Sequence, residues 1–122
     1  MPNEVQFDEK EGIINLVFRG DQTYETIHAL WPDVENAAKK LHESNRPIFV
    51  LGDTREMAHQ DSGSRQAGLE IMKKIDMTKY ALVITSTFLR IVSSLIAKAS
   101  GLESKVRNFS TREDAIAWLH KV

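Results

Sequence analysis

Between residues 53 and 64 the chain reads DTREMAHQDSGS, with two aspartates eight positions apart and His59, Ser62 and Ser64 gathered around the second. Residues of these types support three chemistries. Ser62, His59 and Asp53 can be written as a proton relay, but they crowd into ten positions and no oxyanion-forming pattern accompanies them. Histidine and carboxylates can also hold a metal ion, which takes at least three convergent ligands. His59 with Asp53 and Asp61 is the one seed of such a set, since His28, His42 and His120 belong to other elements; no metal is expected. The third chemistry is anion handling. Asp61-Ser62-Gly63-Ser64 stands at the start of a helical stretch, where free backbone N–H groups and the helix dipole favour a phosphoryl group. The structural alternative is that Asp61 or Ser62 simply caps the helix.

The elements that position these residues follow from hydrophobic periodicity. Val5–Asp8 and Gly12–Phe18 flank the polar turn Glu9-Lys10-Glu11 and predict an antiparallel hairpin. Arg19-Gly20-Asp21 reads as the turn that ends the second strand. From Tyr24 to Leu41 apolar residues recur in steps of three and four, a helical stripe. Pro32 interrupts it, because proline cannot donate to the His28 carbonyl, so a kink or a break is expected. Ile48–Leu51 and Tyr80–Ile84 are continuous apolar runs of strand length, as for strands buried on both faces. Between them Gly68, Ile71, Met72 and Ile75 follow helical spacing. Phe88, Ile91, Val92, Leu95, Ile96 and Ala99 form the clearest amphipathic helix, read as a core face or as the wall of a ligand cavity. Thr85-Ser86-Thr87 before it reads as capping. Lys105–Phe109 predicts a short last strand, and Ser110-Thr111-Arg112-Glu113 a capping box before a helix whose Trp118 is expected to be largely buried.

Strand and helix thus alternate after the hairpin, which implies a mostly parallel sheet with right-handed crossovers in one α/β domain, residues 1–122. The strand PIFVLGD with Asp61 eight residues on, the helix start Asp61-Ser62-Gly63-Ser64, YALVITSTFLRIVSSLIAKASG and the ending KVRNFSTREDAIAWL together resemble the SpoIIAA-like family of STAS domains, the fold of anti-anti-sigma factors. The resemblance covers nearly the whole chain. It implies a mixed, mostly parallel five-stranded sheet with about four helices and an antiparallel first strand. It also implies a regulatory, protein-interaction role. At the family's phosphorylated serine, the second serine of DSSG, this chain carries Gly63. The family's likeness to CRAL-TRIO domains implies, as a second role, a carrier or sensor of a small apolar or anionic ligand.

Composition agrees with a non-enzymatic reading. Cysteine is absent, and neither a GxSxG elbow nor a Gly-rich phosphate loop occurs. The net charge of −1 carries no electrostatic footprint for nucleic acid. The most apolar window, Ala81–Ala99, contains Arg90, Lys98 and several hydroxyl residues and reads as a strand and a helix rather than a transmembrane segment. No cofactor is expected, the cytoplasm is the expected location, and a homodimer is compatible with the sequence. The candidate regulatory or anion site is Asp53, His59, Asp61, Ser62, Ser64, Thr85 and Ser86, collected at the carboxyl rim of the strands. The candidate apolar-ligand face is Phe88, Ile91, Val92, Leu95 and Ile96.

Overall fold

The apolar runs beginning at Ile13, Phe49 and Tyr80 lie side by side in the middle of one five-stranded sheet. The computed structural model describes residues 2–121. Its elements are β1 (Glu4–Asp8), β2 (Ile13–Gln22), α1 (Tyr24–His28), α2 (Trp31–Glu43), β3 (Phe49–Gln60), α3 (Ser62–Lys74), β4 (Lys79–Val83), α4 (Thr87–Ala99), β5 (Val106–Phe109) and α5 (Arg112–Leu119). The strands follow the order β1-β2-β3-β4-β5, with β1 antiparallel to β2 and all other pairs parallel. The β1–β2 turn closes on Gly12, whose φ of 71° is the left-handed conformation that glycine adopts without strain.

This order fixes where the helices go. Right-handed crossovers that always step in one direction put every connecting helix on the same face. Ile14, Leu16, Val50 and Tyr80 alternate onto that face and pack against Ile27, Val34, Leu41, Ala67 and Ile71 of α1, α2 and α3. The opposite face, with Ile13, Leu51, Ala81 and Val83, is covered by α5 alone through Ala115 and Leu119. Strands β2, β3 and β4 are therefore buried on both sides, which is why their sequences run apolar without alternation. The polar interruption, Asn15, is buried on the α5 face, where it donates to Gln6 O and accepts from Arg112.

Several expectations shift by a few residues, for identifiable reasons. The helical stripe does break, between α1 and α2, and Pro32 sits in the first turn of α2, where no N–H is needed. Arg19-Gly20-Asp21 does not end β2; the strand continues to Gln22, and Arg19 is held by Glu4 and Glu56. Thr111, not Ser110, caps α5 by accepting from Asp114 N. Trp118 is only partly buried, because it packs at the margin of the sheet against Phe109 with Lys79 and Arg107 over its ring.

Candidate functional site

The polar stretch Asp53–Gln60 is a strand and not a loop. β3 continues through Thr54–Gln60 as a ribbon paired only with β2, reaching Gln22↔Gln60 after two register shifts. Its pairing with β4 stops at Asp53↔Val83. The extension separates the candidate residues instead of gathering them. At a strand rise of about 3.3 Å per residue, less the bulges, Asp53 and Asp61 lie roughly 20–25 Å apart. Asp53 shares the sheet rim with Thr85 and Ser86, while His59, Asp61, Ser62 and Ser64 stand at the far end of the ribbon. The relay Ser62–His59–Asp53 cannot close across that distance. Among the described residues no group of three or more His, Asp or Glu side chains converges for a metal.

At the far end Asp61 is the cap. Its Oδ1 accepts from Ser64 N at 2.8 Å, and the Ser64 hydroxyl, buried, donates to Asp61 O at 2.7 Å. Ser62 is the first helical residue, exposed and without a side-chain hydrogen bond. Asp61→Ala is therefore expected to cost about 1 kcal/mol, and Ser62→Ala less than about 0.5 kcal/mol, in urea melts of the two variants. His59 is exposed and contributes only its backbone N–H, donated to Asp21.

At the rim, Arg55 clamps Asp53 in a bidentate pair, Nε to Oδ1 at 3.0 Å and Nη2 to Oδ2 at 2.7 Å. These side-chain hydrogen bonds hold the Asp53 carboxyl below the usual aspartate range, with added help from the Arg55 backbone N–H and the charge of Arg112. Because the folded value is lowered, the pair stabilises the fold fully above the ordinary aspartate range. That contribution is lost as pH falls through the lowered value. Arg55 is half exposed, so the gain is small. Asp53→Asn should lower the neutral plateau of a stability–pH curve slightly and meet the wild-type curve at low pH, flattening the acid limb by the same small amount. Thr85 is exposed, and Ser86 caps α4 by accepting from Leu89 N.

The larger correction concerns α4. Its apolar stripe does not face the sheet. Phe88, Ile91 and Leu95 are 71%, 56% and 62% exposed; Val92 is half-buried, and Ile96 alone of the candidate face lines an internal cavity. Toward β5 the helix presents polar groups instead, and of its apolar residues only Ile96 and Ala97 turn to the cavity. Arg90 donates to the Ile84 carbonyl and to Ser110, and Ser93 bonds to Asn108 of β5, whose amide in turn reaches Arg90 O and Ser94. These bonds set the rotation of the helix and turn the stripe outward.

Helices α3 and α4 do not pack closely on each other. Between them and the sheet is an apolar cavity of about 150 Å3, floored by Leu16, Val50, Tyr80 and Leu82 and walled by Met57, Ile71, Met72 and Ala97. Its mouth lies where Arg65, Leu69 and Ile96 also border a surface groove. Sequence reasoning missed Tyr80 and Met57 as cavity lining, and Gly52 as the residue beneath the Tyr80 ring. The available signal was the register, which puts Gly52 between Leu16 and Leu82 with Tyr80 two residues before Leu82 on the same face.

A parallel sheet in sequence order, an antiparallel first strand, three helical connections on one face and a capped helix after the central strand define the SpoIIAA fold. The sequence profile of the SpoIIAA-like family matches residues 13–120, and the chain belongs to that family. Its structure is similar to that of an uncharacterized protein with a SpoIIAA-like fold from Shewanella loihica PV-4, with a TM-score of 0.69 at 16% identity, covering 96% of this chain and 91% of that one. It is also similar to the anti-sigma factor antagonist SpoIIAA in its unphosphorylated form (TM-score 0.66, 11% identity, 98% and 99% covered). The Bacillus cell fate determinant SpoIIAA in its phosphorylated form gives 0.65 at 14% identity, with 97% and 99% covered. No curated protein sequence matches the chain significantly. The fold and the first-strand arrangement are as the resemblance implied. Among the described residues no helix is long and apolar enough to cross a membrane.

Proposed function

We propose that the protein is a cytoplasmic, non-enzymatic regulatory module, one domain over residues 1–122, that binds a protein partner through the surface formed by α3 and α4. The observation that carries this reading is the outward display of Phe88, Ile91 and Leu95 on one helix, beside the open edge of α3. Three large apolar side chains on successive turns form a contiguous patch, the kind of surface that marks interaction sites. Relationship to an anti-sigma factor antagonist supports a regulatory role of this sort. If the start of α3 is also a switch, Ser62 is the hydroxyl open to modification, since Ser64 is buried and committed to Asp61 O. A Phe88→Ser/Leu95→Ser variant should keep the wild-type melting temperature and lose the partner that wild type retains in affinity capture from the native cell. Retention of the same partner by a folded variant would reject this surface.

A second reading, a carrier or sensor of a small ligand, is favoured by the apolar cavity between α3, α4 and the sheet. Saturable binding of a small apolar compound, seen as shifts of cavity methyl resonances, tests it.

A further inference from the structure

Most buried polar side chains on the cavity wall are already satisfied. Gln22 donates to Arg19 O, Thr54 to Val83 O and Ser64 to Asp61 O. Tyr80 differs. It is 8% exposed and lines the cavity floor, and its hydroxyl lies over Gly52, where an added Cβ would come within 2.6 Å of it. It makes no hydrogen bond to any described residue. Burial alone pushes its phenol up, so the hydroxyl stays protonated at neutral pH. A hydroxyl that faces a cavity without a protein partner is free to meet water or a ligand. The glycine beneath it leaves the space the phenol tip occupies.

The size and lining of the cavity restrict what could meet that donor. About 150 Å3 holds a benzene-sized molecule and not an extended acyl chain. Arg65, the only charged side chain on the wall among the described residues, stands at the mouth, so a carboxylate at the floor would be desolvated without a counter-charge. Resting on the carrier reading above, we infer that the cavity takes a compact, neutral, largely apolar molecule with one hydrogen-bond acceptor, such as a cyclic or branched ketone, bound with its carbonyl on the Tyr80 hydroxyl.

Two probes of nearly equal shape separate the polar contact from simple filling: cyclohexanone, and methylenecyclohexane, which replaces the carbonyl by an exocyclic CH2. Titrations of wild type and Tyr80→Phe are followed by the methyl resonances of Leu82 and Ile96, with Leu119 on the other face as control. Both probes are expected to bind saturably, and Tyr80→Phe should weaken the ketone about fivefold while leaving the hydrocarbon unchanged, as for loss of one neutral hydrogen bond. In wild type, cyclohexanone alone should shift the Tyr80 ring carbon that bears the hydroxyl, a reading that needs no variant. If both probes bind but neither Tyr80→Phe nor the ring resonance distinguishes them, the inference is overturned and the carrier reading stands. If neither probe binds, the carrier reading itself fails.

Discussion

Leu119→Ala is expected to lower stability by about 2–5 kcal/mol, the range for a large-to-small change in a core that cannot collapse around it. The site leaves little room for relaxation. Leu119 is fully buried, and α5 is the one helix on its face of the sheet, so no neighbouring helix can move in over Ile13, Leu51, Ala81 and Val83. For a domain stabilised by about 5–15 kcal/mol the loss is a large fraction, and the melting temperature should fall by about 10 °C or more. The contrast is Leu95→Ala. The same chemical change on the exposed face of α4 should shift stability by less than about 0.5 kcal/mol. Equal effects of the two would contradict the rotation assigned to α4.

Gly52→Ala is expected to destabilise by about 1–3 kcal/mol, through overpacking at the middle of the sheet. The added methyl would lie 2.6 Å from the Tyr80 hydroxyl, 2.9 Å from Cε1 and 3.0 Å from Leu82 Cδ2. A rigid ring must tip into the cavity to make room. Tyr80→Phe removes the closest of these clashes, so the double variant should be less destabilised than the sum of the single changes, as expected for residues in contact. Strict additivity in chemical denaturation would mean that the ring does not sit over Gly52. The same Gly52→Ala change should shrink the cavity and weaken cyclohexanone binding.

The architecture was legible because its strongest signals are buried runs. Phe49–Leu51 and Tyr80–Val83 are apolar on both faces, and the alternation with helical stripes leaves little freedom in topology. The ribbon Thr54–Gln60 was not legible. Its residues are mostly polar and pair with β2 alone, and two register shifts break the two-residue alternation that reveals a half-buried strand. Splitting of the candidate site followed from that one element. The rotation of α4 was hidden for a different reason. An apolar stripe says which residues share a helix face, and not whether that face is covered. The decision lies with Arg90, Ser93 and Asn108, polar residues on separate elements whose pairing is visible only in three dimensions.

That the α3–α4 surface is the working face is tested most directly by site-specific photo-crosslinking in the native cell. A photoreactive benzoyl-phenylalanine in place of Phe88 changes little in an exposed aromatic position, and the same group in place of Glu113, exposed on α5, reports the opposite face. The expected result is a discrete protein adduct from position 88 and none from position 113. An adduct from position 113 alone, or none from position 88 in a folded protein, would contradict it.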